Sequence, residues 1–385
     1  MPRPRRIGVI AYEMEGRSSG VGRFLEGLLS GLVEARNPDT WLLFFKGEPF
    51  AHPLFAAAAA AGVALQPRFD GRPRMRPIAW EQLRLPRLLR DEGAEAVFSP
   101  GYSLPLLTDL PGLLILHDLA FEARPEEFGP RERWRRRLLA RIGAQRAARV
   151  LASSRFGVDE LRSRYQVPPA RLRLLPGAVA PRFFEAAAAP AELAQLTALG
   201  VRPPYLLWLA TLLPRRPVAW ALAALAAALP ARPELTLVLA GQDRLPQRDE
   251  LASLLDESGI GDRVVRLPFV AEALLPALYR GAELTLYPSA YEGFGLPPLE
   301  SLAAGTLPVI TPGQTLAALW PEYPYLAPFA AGAFVATVQR ALDDPERAAI
   351  AARGREIVAG LSWRESAGVL AGLVAELLPR LGGRP

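Results

Sequence analysis

The chain has no cysteine, two histidines and, in Lys46, a single lysine among its 385 residues. Without cysteine, neither a disulfide framework nor a thiolate metal site can form. Two histidines leave too little imidazole for a ligand cluster, so no structural zinc is expected. Long hydrophobic runs are missing as well. Ala56–Leu65 and Ala219–Leu229 are the longest apolar stretches, well short of the roughly 20 residues that cross a bilayer. The N-terminus runs from Met1-Pro2-Arg3-Pro4-Arg5-Arg6 into the strand-like Ile7–Tyr12, without the apolar core and small-residue cleavage site of a signal peptide. The expected location is the cytoplasm.

What is present describes a globular protein: 50% of the residues are hydrophobic and 22% charged. A chain of this length suits two domains of roughly 150 to 200 residues. The net charge of +6 favours anionic partners such as nucleotides, phospholipid headgroups or nucleic acid. Arginine replaces lysine everywhere but position 46, and alanine and leucine are abundant, which reads as the codon bias of a high-GC genome. No nucleic-acid-reading motif accompanies the arginines, so no nucleic-acid partner is expected.

Strand-like and helical runs alternate through the first half: Arg6–Tyr12, Val21–Ala35, Trp41–Phe45, Glu81–Arg90, Ala94–Ser99, Leu113–His117, Arg131–Ala148, Arg149–Ser153 and Arg171–Leu175. Such alternation predicts a parallel sheet with helices on both faces. The pattern lapses between Pro181 and Pro204, which reads as a linker, and resumes at Tyr205. Two doubly wound α/β domains follow, over 1–182 and 183–365. A capped amphipathic helix begins at Ser362, with Glu365 completing a capping box. Its continuation over about 366–385 either closes the second domain or returns to the first.

The most constraining segment is Glu292-Gly293-Phe294-Gly295-Leu296-Pro297-Pro298-Leu299-Glu300. It follows the apolar run Leu284–Tyr287 and opens a helix, which places both glutamates at the C-terminal edge of a parallel sheet, where open α/β folds bind ligands. Gly293 and Gly295 let the backbone approach a ligand and expose N–H groups at a helix N-terminus, a position that suits phosphate. A second constellation, Thr211-Leu212-Leu213-Pro214-Arg215-Arg216-Pro217, follows the strand-like Tyr205–Ala210. Adjacent arginines at such a turn either neutralise a diphosphate or form a solvated basic loop.

In the order in which they occur, Thr211–Arg216, Gly241 after a strand, Arg263–Val270, Tyr279–Ala282, Tyr287–Glu300 and Gly305–Ile310 resemble the family 4 glycosyltransferases. The first half resembles them too, through Ser19-Gly20-Val21-Gly22-Arg23, Leu116-His117-Asp118, Ala152–Phe156 and Leu175–Val179. The resemblance implies the GT-B fold: two facing Rossmann-like domains with an interdomain cleft, the second holding the nucleotide sugar. It implies a retaining, metal-independent hexosyltransferase of bacterial polysaccharide biosynthesis. The donor would be of GDP or UDP type, no further cofactor would be needed, and the acceptor would be a glycan or lipid-linked sugar. By the same resemblance Glu300 would hold the ribose hydroxyls. Glu292 and the backbone from Gly293 through Phe294 and Gly295 to Leu296 would meet the sugar and phosphates, and Arg215 and Arg216 the diphosphate. Gly20 and Gly22 would let the first helix approach the diphosphate. His117 would touch the donor sugar, with Asp118 orienting the imidazole or capping a turn.

The chain departs from the family at Arg216, where lysine is usual, and at Pro217, where asparagine is common. Ala210 stands in place of glycine, Leu213 in place of an acid, and the loop after Ile310 lacks a further glutamate. These departures motivate an alternative, a catalytically silent GT-B scaffold binding a nucleotide or a partner transferase. The run Arg131–Arg149 carries eight arginines and one acid, with Trp134, Leu138 and Ile142 at i, i+4 and i+8. It reads as a helix packed by that apolar stripe, or as a surface for anionic lipid.

Overall fold

A computed structural model describes residues 3–16, 20–185, 187–247 and 249–379. Ser19 of the glycine loop and the last six residues of the 366–385 segment lie outside these. The chain divides into two compact units, Met1–Ala178 with Ser362–Pro385, and Val179–Leu361. Both divisions fall a few residues ahead of the sequence-based boundaries. Phe183 is buried in the second unit's core, whereas Ser362 caps a helix that belongs to the first.

The first unit is built on a seven-stranded sheet, β1 (Arg6–Ile10), β2 (Thr40–Phe45), β3 (Leu65–Phe69), β4 (Ala96–Ser99), β5 (Gly112–Leu116), β6 (Arg149–Ala152) and β7 (Leu172–Leu174), in the order β3-β2-β1-β4-β5-β6-β7. Every pair is parallel, with Ile7 in register with Trp41 on one side and Ala96 on the other. Parallel strands are covered on both faces, which is why they read as unbroken apolar runs. Val9 packs into one core and its neighbour Ile10 into a second. Strand order reverses between β1 and β4, so the loops leaving those strands diverge there.

The second unit carries β8 (Tyr205–Leu209), β9 (Thr236–Ala240), β10 (Val264–Leu267), β11 (Ala282–Tyr287) and β12 (Pro308–Ile310), in the order β10-β9-β8-β11-β12. It too is wholly parallel. The reversal between β8 and β11 is the topological switch point, where such sheets open a crevice at the strands' carboxyl ends. The segment read as a linker is instead part of this unit. It forms a 3-10 turn, Pro181–Phe184, and a helix, Pro190–Ala198, which bury Phe183 and Leu196. Its alanine-rich helix buries a single residue, too little to produce a periodic pattern.

Among the described residues one apolar stretch, Arg347–Leu377, is long enough to cross a bilayer, contrary to the reading of the sequence. It is two helices, Arg347–Ala359 and Trp363–Leu377. The break falls at Gly360–Ser362, where Ser362 caps the second helix by accepting from Glu365 N. Val358 seats in the second unit's core and Leu370 and Val374 in the first's.

Candidate functional site

Three turns converge at the carboxyl edge of the second sheet. After β8, Thr211–Arg216 is stapled to the turn after β9 by Leu212 N donating to Gln242 O at 2.9 Å. Gly241 makes this approach possible: its φ is +135°, and a Cβ there would lie 2.0 Å from the Ala210 carbonyl oxygen. No other residue fits. After β11 the chain enters the glutamate segment, and Gly295, with φ 72° and ψ 64°, starts the helix Leu296–Ala303. Pro297 and Pro298 lie in its first turn, where their missing N–H groups cost nothing.

Arg216 and Glu292 meet across the switch point. Arg216 Nε donates to Glu292 Oε1 at 2.7 Å and Nη2 to Oε2 at 2.9 Å, a bidentate pair. The side chains are 11% and 7% exposed. The third nitrogen, Nη1, donates to the Thr211 carbonyl at 3.1 Å, and the guanidinium lies 5.5 Å from the centre of the Tyr287 ring. Ser289 Oγ donates to Glu292 Oε1 at 2.6 Å. Burial alone would push the Glu292 carboxyl up. The Arg216 charge and hydrogen bonds, with Arg215 and Ser289, overcome this and hold it below the usual carboxylate range. Glu292 is therefore an anion at neutral pH. Arg215 adjoins the pair through its carbonyl, which accepts from Ala290 N at 2.9 Å.

Glu300 is buried on the following helix, where Tyr279 donates its hydroxyl to Oε2 at 3.1 Å. Phe294 is buried, while Gly293 and Leu296 are half-buried. The reading of the sequence did not single out Thr311 or Gln314. Thr311 Oγ1 donates to Ser289 O at 2.7 Å and accepts from Ser289 N at 2.9 Å. Gln314 Nε2 donates to Tyr287 O at 3.1 Å. Together they tie the turn after β12 to the turn after β11. Their one signal in the sequence is the loop after Ile310, which lacks the family's further glutamate.

In the first unit, His117 leaves β5 at the carboxyl edge. Its ring hydrogen-bonds the Pro100 carbonyl and packs edge-on against Phe24, with centroids 4.6 Å apart. Nε2 is shut from solvent and has no partner among the described atoms. Burial pulls the imidazole down to about 4, although Asp118 and the Pro100 carbonyl act the other way. His117 is thus neutral at pH 7 and offers hydrogen bonding rather than charge. Asp118 caps the next turn, Oδ1 accepting from Ala120 N at 3.0 Å. Gly20 and Gly22 lie in the first turn of the helix Gly20–Glu34.

A further acid is buried in the first unit. Glu81 is 1% exposed, on the short helix Pro77–Leu83. Burial raises its carboxyl to about 7 against hydrogen bonds from Ser103 and Gln82. Gln82 also binds Leu104 O and Leu106 N at 2.9 Å each, fastening the loop after β4. On the helix Pro130–Arg146 the first of the two readings, packing by the apolar stripe, does not hold. Trp134 is 66% and Leu138 40% exposed, and the buried residues are Ala140, Gly143 and Ala144. Small residues permit close approach to the sheet: a Cβ on Gly143 would sit 3.0 Å from Leu114.

Two family models match this chain: Glycosyltransferase Family 4 over residues 18–183 and Glycosyl transferases group 1 over residues 194–356. The D-inositol 3-phosphate glycosyltransferase of Mycolicibacterium smegmatis is 47% identical over 60 residues, 16% of this chain and 14% of that protein. In no curated match does the aligned part exceed 16% of the relative's length. Solved structures align over nearly the whole chain. Sucrose-phosphate synthase from Thermosynechococcus elongatus is 21% identical, with a TM-score of 0.75, over 97% of this chain and 99% of that one. Anabaena HepE, solved with UDP and glucose, is 15% identical, with a TM-score of 0.73, over 97% and 100%. With one model on each unit and GT-B structures matching both sheets, the chain belongs to the family 4 glycosyltransferases of the GT-B fold.

Proposed function

We propose that this protein is a retaining glycosyltransferase that moves a hexose of glucose or mannose type from a nucleoside diphosphate sugar to a glycan or lipid-linked acceptor. The observation that carries the reading is the charged centre at the switch point of the second sheet. There an ionised Glu292 and two arginines adjoin a glycine turn, and the helix that this turn opens carries the buried Glu300. Related structures hold UDP or UDP-glucose, which supports a donor of UDP type, with GDP the other candidate.

In this reading Glu300 accepts the ribose hydroxyls. The N–H groups from Gly293 to Leu296 meet phosphate at the helix N-terminus, and Glu292 meets the sugar. Arg215 stabilises the charge that develops on the departing diphosphate, the role a metal ion would otherwise take. His117, neutral and with no partner for Nε2 among the described residues, hydrogen-bonds the sugar. Asp118 holds the turn that carries it.

Thermal unfolding with UDP, GDP, ADP and their common sugars, beside a Glu300→Ala variant, tests this. A ligand at a hundred times its dissociation constant adds about 2.7 kcal/mol. One nucleotide is expected to raise Tm in the wild type and not in the variant. No shift with any of them would leave the silent scaffold as the better reading.

The Pro130–Arg146 helix bears on the acceptor. Trp134 and Leu138 face outward between the exposed Arg131, Arg135, Arg137 and Arg141. Apolar side chains among arginines suit an anionic lipid surface. We propose that the protein works in the cytoplasm, resting peripherally on the membrane's inner face, where a lipid-linked acceptor would be presented.

A further inference from the structure

We infer that Arg216 is a positioning residue: it holds Glu292 in place across the switch point, and the donor's diphosphate is met by Arg215 and the glycine turn. This rests on the donor reading above and assigns Arg216 a role other than the phosphate contact that the resemblance implied.

The guanidinium is already committed. Nε and Nη2 are both on the Glu292 carboxylate, Nη1 is on the Thr211 carbonyl, and the guanidinium carbon lies over the Tyr287 ring. The contacts join the turn after β8, through Thr211, to the turn after β11, through Glu292. Ser289 and Thr311 extend the connection to the turn after β12. Swinging the fork onto a phosphate would strand a buried carboxylate beside incoming anionic charge, which is strongly unfavourable. The departure from lysine acquires a reason here. An ammonium is a point charge and cannot form a planar two-bond fork with a carboxylate while also reaching a carbonyl. Arginine can, and Glu292 is thereby kept ionised and aimed.

A double-mutant cycle read by calorimetric binding of UDP, GDP and ADP without sugar separates the two roles. Arg216→Met is expected to weaken binding at least tenfold, because Glu292 is left as an uncompensated anion near the phosphates. Glu292→Gln alone should bind at least as tightly as wild type, because Arg216 is left as an uncompensated cation near the phosphates, and the Arg216→Met/Glu292→Gln double should return to within about threefold of wild type. Arg215→Met should lose roughly thirtyfold or more, and adding Glu292→Gln should not restore it. The double removes both charges together and is expected to fold even if Arg216→Met does not.

Acceptor-free hydrolysis of the nucleotide sugar gives the second readout. The double should recover KM for the donor yet remain at least about tenfold low in kcat, since the group that Arg216 aims is gone. A double that binds nucleoside diphosphate as weakly as Arg216→Met would overturn the inference in favour of direct phosphate contact. Recovery of kcat as well would reduce the pair to a structural tie. A wild type that binds none of the three nucleotides would instead refute the donor reading itself.

Discussion

Glu81 shows how burial turns an ordinary side chain into a titrating one. Its carboxyl is carried from 4.5 to about 7, chiefly by burial. In that window the folded chain holds a proton that the unfolded chain has released, so stability falls as pH rises from about 4.5 to 7. The full difference corresponds to roughly 3 kcal/mol. A Glu81→Gln variant is neutral throughout and keeps the Ser103 and Gln82 partners within reach. Relative to wild type, its Tm is expected to climb between pH 5 and pH 8. A constant difference across that range would mean that the carboxyl is already ionised in the fold at pH 5. His117 has the opposite sign: with its folded value near 4, it makes the fold less stable as pH falls from about 6.5 toward 4. In the sequence Glu81 was merely the first residue of a helical run, because burial depends on partners such as Ser103 and Tyr12 that lie far away in the chain. The glutamates at 292 and 300 were legible because their setting, strand before and helix after, is local.

At the scale of elements, the parallel strands were readable wherever both faces are covered, as in β2 and β9. β3 was not. It pairs only with β2 at the sheet's edge and carries Pro67, a residue tolerated at edges but absent from the usual strand pattern. The helix before it, Pro53–Ala61, carries no readable period because it is nearly uniform alanine with only Leu54 and Ala58 buried. The Pro130–Arg146 helix is legible in the sequence, but of its two readings, packing by the apolar stripe fails. Its apolar stripe looked like core, whereas Ala140, Gly143 and Ala144 do the packing. What remains outside makes a measurable claim. Flotation with vesicles of phosphatidylglycerol, against phosphatidylcholine alone, is expected to recover the protein only with the anionic lipid. Each arginine near such a surface contributes about 1 kcal/mol, so Arg131→Gln with Arg135→Gln should lower partitioning roughly thirtyfold. Trp134→Ala should weaken it further. Equal recovery with both lipids, or none with either, would remove the membrane from the proposal.

At the scale of the whole molecule, the chain leaves the first unit at Ala178 and rejoins it at Ser362, so that unit is completed by a helix that follows the whole of the second unit in sequence. Trp363–Leu377 lies along Gly20–Glu34, and two glycines set the distance. A Cβ on Gly27 would be 2.2 Å from the Trp363 indole, and one on Gly31 would be 2.1 Å from the Trp363 carbonyl oxygen. Trp363 packs edge-on against Phe24 at 5.2 Å, and Phe24 against His117 at 4.6 Å, so the helix also backs the imidazole. The sequence left open which unit this helix joins, since an amphipathic face does not name its partner. Ala367, Leu370, Leu373 and Val374 are buried in the first core. At roughly 1.5 to 3 kcal/mol for each larger apolar side chain, their loss approaches the 5 to 15 kcal/mol by which a domain is stable. A chain ending at Leu361 is therefore expected to unfold its first unit at much lower urea, with rapid proteolysis inside residues 20–178, while 179–361 stays protected. Gly31→Val, which leaves the helix present but pushes it away, should shift the same transition in the same direction by less. A truncated chain with an unchanged urea midpoint would show that the first sheet is stable without this helix, and the glycine-set contact would then contribute little to the fold.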